Sequence, residues 1–287
     1  MKRLTGILLF ALVFLGASNS LATEKLIALT FDDGPRPNVL KNLLPLLQKY
    51  SAPATFFIIG AEILPNDKFV KKMSENSYEI ENHSWGHENL VKLLREKGAD
   101  AVKLNLEKTN SEVFKITGRK PKFFRPPYWE INADVEKVVR DFGLTPMKLG
   151  NPDINTMDYD DYAKKRSPEA LIERVKKIIL SRENREEYRH VLVFHELPIT
   201  VEALKTLIPY LTGRGYSFGT LDDFFSRDKR RTGYYKIKLA GLAADFVTPK
   251  ADFAQPKAGN LGQASVKSVY LSVDNLYNHE KINYIFS

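Results

Sequence analysis

Between residues 26 and 220 the chain repeats one pattern: a short apolar run, a turn signal, then a stretch with helical spacing. Leu26–Phe31 is mostly apolar and closes at Gly34-Pro35, which reads as a buried strand ending in a turn. Val39, Leu43, Leu44 and Leu47 then recur on one face of a helix over residues 36–50. Ala54–Ile59 reads as a second strand, stopped by Gly60, and Asp67–Asn76 as a second helix. Further strands are expected at Phe123–Arg125, Thr145–Leu149, Val191–His195 and Tyr216–Thr220. Helices are expected over residues 100–116, 132–142, 168–182 and 200–211. A parallel strand connection needs a crossover long enough to hold a helix, so this alternation predicts an α/β fold with a parallel sheet, open or closed into a barrel.

The N-terminal segment has a different character. Lys2 and Arg3 precede the apolar run Ile7–Leu15, and small or polar residues lead to Ser20-Leu21-Ala22. That layout predicts a secretory signal peptide over residues 1–22. Its apolar run is shorter than the ~20 residues that span a bilayer. No later segment is long and apolar enough to cross one. With no cysteine in the chain, a disulfide framework and a thiolate metal site are excluded. An export signal without cysteines predicts a periplasmic or secreted bacterial protein. Removal of the leader lowers the formal charge from +8 to +6. A mildly basic exported protein is drawn to anionic polymers such as cell-wall material. Nucleic acid is not expected as a partner, because the basic residues are scattered and no binding motif accompanies them.

Two clusters carry the chemistry. Thr30-Phe31-Asp32-Asp33-Gly34-Pro35 offers adjacent carboxylates, and His83-Ser84-Trp85-Gly86-His87 offers two imidazoles four residues apart. On a helix that spacing puts both rings on one face. Two His and one carboxylate leave coordination positions open, as a catalytic metal site requires, and the second carboxylate is then free to act as a base. Asp32, Asp33, Arg125 and His195 all fall at or just past the C-terminal ends of expected strands. Active sites of β/α folds gather on that face, so one shared pocket and a hydrolase are expected.

These segments, with Arg125-Pro126-Pro127-Tyr128 and Val191-Leu192-Val193-Phe194-His195, resemble the ordered motifs of the polysaccharide deacetylase family, the NodB-homology carbohydrate esterases. The resemblance runs from about Leu26 to Phe225. It implies a distorted β/α barrel with about seven parallel strands, a divalent metal (zinc, with cobalt possible) and hydrolysis of acetyl groups on sugars. Carried over by position, it makes Asp33, His83 and His87 the metal ligands and Asp32 the general base. Arg125 would orient that base. The backbone N–H of Tyr128 would stabilise the oxyanion, and His195 would act as general acid. Pro126, Tyr159 and Val193 would line the substrate site. Together these imply removal of N-acetyl groups from N-acetylglucosamine, with peptidoglycan the first expected substrate and chitin-type oligomers next. An O-acetyl esterase acting on xylan, or a metal-containing carbohydrate-binding pseudoenzyme, are the alternatives.

The fourth motif departs from the family, which has Asp followed by Trp. Asp158-Tyr159 is aligned to that pair, making Asp158 the partner expected to hold His195 protonated. Asp153, Asp160 and Asp161 compete for the role. Glu196 stands where Asp is common and carries no expected role; His190 and His279 carry none either. Trp129 suits the sugar cleft and the core equally. Residues 23–226 are thus expected to form the catalytic domain. Residues 227–287, with strand-like alternation at Tyr234–Leu239 and Val266–Val273, are expected to form a connector and a small β appendage.

Overall fold

The computed structural model of the chain describes residues 24–150 and 152–227. The leader expected over 1–22 and the β appendage expected after 227 lie outside the described residues.

The alternation seen in the sequence becomes a parallel sheet with its helices outside. In chain order the elements are β1 (Leu26–Gly34), α1 (Pro37–Lys49), β2 (Thr55–Ile58), α2 (Asp67–Glu75), β3 (Glu79–Asn82), α3 (Leu90–Thr117), β4 (Phe123–Phe124), α4 (Ala133–Asp141), β5 (Thr145–Pro146), β6 (Asp153–Asn155), α5 (Asp158–Ala163), α6 (Pro168–Glu183), β7 (Arg189–His195), α7 (Pro198–Gly213), β8 (Ser217–Gly219) and α8 (Leu221–Arg227). Seven strands run in the order β5-β4-β3-β2-β1-β7-β6, and β8 joins off this path. Both β8 and β2 pair with β1, β8 along Leu26–Ala28 and β2 from Thr30 onward. Every recorded pairing is parallel.

The period-2 alternation of strands sorts side chains between two faces. On β1, Ile27, Leu29 and Phe31 face the outer helices, in one core cluster with Leu40, Leu43 and Leu47 of α1 and Leu204, Leu207 and Leu211 of α7. Phe31 stacks on Phe56 and Phe194, with ring centroids 5.1 and 6.0 Å away. The alternate residues Leu26 and Ala28 join Phe57, Phe123, Val191 and Val193 in a second, inner cluster. Continuing that inner register towards the strand C-termini reaches Thr30 and Asp32 on β1, His195 on β7 and Arg125 just after β4. The same alternation that buries the core thus delivers the polar groups to one end of the inner face.

Local signals account for most boundaries. Pro37, Pro168 and Pro198 begin α1, α6 and α7, where proline's missing N–H costs nothing. The Asn89 side chain caps α3 by accepting from Lys92 N at 3.0 Å, and Gly118 ends that helix in the left-handed region at φ 68°. Gly98, at φ 80°, breaks α3 after its first turns, so the regular part begins near the expected residue 100. The His83–His87 segment, expected on a helix, is instead a loop leaving β3, with His87 itself at φ 60°. No helix among the described residues is long and apolar enough to cross a membrane.

Candidate active site

The β1–β7 register sets Asp32 directly opposite His195. Around this pair the structure builds two supports of opposite charge. Arg125, wholly buried, donates from Nη1 to Asp32 Oδ1 at 2.6 Å and to Thr30 Oγ1 at 2.9 Å. Its guanidinium lies 4.0 Å from the Phe57 ring centroid and 5.1 Å from that of Trp129. A guanidinium between aromatic faces, with its charge answered by one carboxylate, is a fixed support that a flexible lysine could not reproduce. Trp129 therefore serves here as packing over Arg125.

Across the register, Asp158 plays the matching part. It is wholly buried; its Oδ1 meets His195 Nδ1 at 2.8 Å, and its Oδ2 accepts from His195 N at 2.7 Å and from Thr200 Oγ1 at 2.6 Å. Burial opposes a charge on His195, but Asp158, by charge and hydrogen bond, and the charges of Asp33 and Asp32 outweigh it and push the imidazole up to about 9. The three competitors lie elsewhere. Asp161 is bound by Arg174 at 2.6 Å and Arg166 at 3.0 Å, and Asp160 pairs with Lys164 and Arg166. Asp153, on β6, pairs along the ladder with Val191 of β7.

Asp33, His83 and His87 converge beside this pair, with one potential ligand atom from each lying within 4.8 Å of the others. Asp33 Oδ1 is 3.3 Å from His83 Nε2 and 3.1 Å from His87 Nε2. Ligand atoms about 2 Å from a common ion sit about 3 Å from each other, so these separations suit one metal. The tautomer agrees. His83 Nδ1 donates to the Arg125 carbonyl at 2.8 Å, which leaves the Nε2 lone pair of the neutral ring facing Asp33. Asp33 Oδ1 is buried without a hydrogen-bond donor. A buried lone pair facing a buried carboxylate oxygen is costly unless a cation lies between them. The three residues fit a divalent ion.

Tyr128 projects at the mouth, 49% exposed, with its backbone left-handed at φ 60°. Its hydroxyl lies 3.1 Å from His87 Nδ1, a contact the sequence did not suggest. Pro126 is buried in the preceding turn. The Tyr159 ring stands edge-on to His195 with centroids 5.1 Å apart. Val193 is fully buried on the inner face two residues below His195. Sequence reasoning also passed over Thr30 and Thr200, although Thr30 sits two residues before Asp32 and so on the same strand face. Glu196 is buried as well; burial pushes its carboxyl up to about 8, against the Arg36 N–H and charge, with Asp33 adding to the rise.

A polysaccharide deacetylase family model matches residues 20–147. A peptidoglycan-N-acetylglucosamine deacetylase of Bacillus cereus is 30% identical over 213 residues, covering 71% of this chain and 70% of that protein. The chain belongs to the polysaccharide deacetylase family. Its namesake in Listeria monocytogenes, also a peptidoglycan-N-acetylglucosamine deacetylase, is 31% identical over 71% of this chain, of which the match spans only 39% of that protein's length. Among solved structures, a family 4 acetyl xylan esterase from Clostridium thermocellum, in complex with a cobalt ion, shares 29% identity at a TM-score of 0.58, over 70% of this chain and 91% of its own. A CE4 family pseudoenzyme from Bacillus anthracis shares 27% identity at a TM-score of 0.60, over 70% of this chain and 66% of its own. The family fold of parallel strands and covering helices is the one expected from the sequence.

Proposed function

We propose that this protein is a metal-dependent hydrolase that removes N-acetyl groups from N-acetylglucosamine residues of an envelope polysaccharide, with peptidoglycan as first substrate. The observation that carries the reading is the pairing at the β1–β7 register. A carboxylate held by a buried arginine and an imidazole held by a buried aspartate stand opposite each other, beside a three-residue metal site.

Asp33, His83 and His87 would hold a divalent ion, zinc or cobalt. When bound, such an ion supplies Lewis-acid polarisation of an acetyl carbonyl and makes water easier to deprotonate. Asp32 takes the proton from the attacking water, and the Arg125 contact keeps that carboxylate aimed. The backbone N–H of Tyr128 donates a hydrogen bond to the carbonyl oxygen as negative charge develops on it. His195 delivers a proton to the departing amine nitrogen, which would otherwise leave as an unstable anion. Asp158 holds Nδ1, so the proton to be given resides on Nε2. Tyr159 walls the His195 side of the site, and the buried Val193 backs it.

The peptidoglycan-directed relatives and the mild positive charge favour a cell-wall glycan and an exported enzyme. The xylan esterase relative favours a second reading, O-acetyl hydrolysis, because the same groups cleave an ester. Acetate release from peptidoglycan, chitooligosaccharides and acetylated xylan, with and without a chelator, tests both. Metal-dependent release that disappears in Asp32→Asn supports the hydrolase, and the best substrate decides between amide and ester. No release from any of the three by metal-loaded protein would refute the hydrolase and leave a carbohydrate-binding pseudoenzyme.

A further inference from the structure

Asp33, the carboxylate of the metal site, has its backbone in the left-handed region at φ 66°. A non-glycine residue in that region is strained and persists only where its surroundings over-determine it. Five contacts do so, and three of them come through Glu196, one residue after His195. Glu196 N donates to the Asp32 carbonyl at 3.1 Å. Its Oε2 accepts from Arg36 N at 2.6 Å. Its carboxyl lies so close over Gly34 that a Cβ built there would sit 1.9 Å from Oε1. Arg36, once held, turns back on the loop. Its Nε donates to the Asp33 carbonyl at 3.1 Å, and its Nη2 to Asp33 Oδ2 at 3.3 Å. That bond occupies the second oxygen of Asp33 and leaves Oδ1 alone to face His83 and His87.

We propose that Glu196 is a positioning residue that latches the Asp32–Arg36 turn, holding Asp33 in its strained, single-oxygen ligand form and tying it to the strand that carries His195. The inference rests on the metal-site reading given above. It concerns reach, since a side chain one methylene shorter cannot bridge from β7 to Arg36 N. Charge is secondary, because a neutral oxygen at Oε2 accepts the same hydrogen bond. Gly34 is the matching part on the turn: any side chain there would displace the carboxyl.

The test is zinc titration of wild type, Glu196→Gln, Glu196→Asp and Glu196→Ala by calorimetry, with kcat and KM measured separately and apo-protein melting as the control for folding. The latch predicts that Gln binds zinc within about threefold of wild type, whereas Asp and Ala bind it at least about tenfold more weakly, because acceptor position sets the ligand geometry. The same two variants lose kcat with little change in KM. Should Ala fail to fold, the Gln–Asp pair decides alone. Zinc affinities within twofold across all variants, or Gln as weak as Ala, overturn the latch while leaving the metal site standing. Wild-type protein that takes up neither zinc nor cobalt removes the reading beneath it, and the latch with it.

Discussion

The two ends of the sheet's inner face both bury charge, and they treat it in opposite ways. At the N-terminal end, Glu79 Oε2 accepts from Thr55 Oγ1 at 2.6 Å and Leu221 N at 2.9 Å, and Glu81 Oε2 accepts from Lys122 N at 2.7 Å and Phe123 N at 2.6 Å. Burial raises the pKa of both carboxyls. They are acceptors for backbone donors and work as mortar between strands. At the C-terminal end, carboxylates meet cations instead, and buried polar atoms remain without hydrogen-bond partners: Asp33 Oδ1, Arg125 Nε and Nη2, and Glu196 Oε1. Left-handed backbone gathers there too, at Asp33, Ser84, His87, Tyr128 and Trp129. Burial of charge therefore does not by itself distinguish a functional end from a structural one. What marks the C-terminal end is the convergence of two separately supported charged groups beside three candidate ligand atoms.

Substitutions should separate the two ends sharply. The largest expected effect is His83→Ala, which removes a proposed metal ligand: zinc stoichiometry should fall towards zero and acetate release drop by about a thousandfold or more. Stoichiometric zinc in that variant would detach His83 from the site. Next is Asp32→Asn, expected to keep its metal and lose about a hundred- to ten-thousandfold in kcat, the usual range for a displaced general base. Substantial residual turnover in the metal-loaded variant would show that another group takes the proton.

Asp158→Asn comes third, and its signature is in the pH profile. As the proposed general acid, His195 must be protonated to act, so activity should fall as pH rises through its pKa. Losing the Asp158 charge lowers that pKa from the high value the pair supports, and the basic limb moves to lower pH. A basic limb that stays in place would mean that the Asp158–His195 contact does not govern the acid.

The contrast also explains what the sequence could and could not reveal. Strands made of apolar runs, β1, β2 and β7, were legible because both their faces are covered. β3 reads Glu-Ile-Glu-Asn and was not expected as a strand; its acids are satisfied by β4 and the start of α8, partners far along the chain. Asp-Ile-Asn in β6 and the acidic α5 were missed for a similar reason: Arg174 secures Asp161 and Arg182 donates to Pro152 and Asp153 carbonyls, all from α6. Within the site, residues inside recognisable motifs were found, and the register brought Asp158 to His195 out of four sequence candidates. Thr200, lying outside the motifs, had no local signal, and Glu196, next to the last motif, was expected to carry no role. The histidine spacing suggested a helix, but a loop with His87 in the left-handed region brings the rings together, 5.1 Å between centroids.

The smallest expected effect probes the structural end. Glu79→Gln keeps an acceptor oxygen for Thr55 and Leu221 and should leave kcat and KM unchanged. Its consequence lies in stability against pH. Burial first, and the nearby Asp222 charge, push the Glu79 carboxyl up to about 7, against bonds from Thr55 and the backbone of Asp222 and Leu221. Below about pH 4.5 the acid is protonated in both the folded and unfolded chain, and its full contribution is present. Between there and about pH 7 the unfolded chain has released a proton that the folded one still holds, so stability falls as pH rises. Above that window the folded carboxyl ionises too and the loss levels off, on the order of 3 kcal/mol at most. Glutamine cannot titrate, so the variant's denaturant midpoint should decline less than wild type's across this window. Equal declines in the two proteins would mean that Glu79 is ionised in its buried seat, and the N-terminal end would then hold charge in the same way as the site.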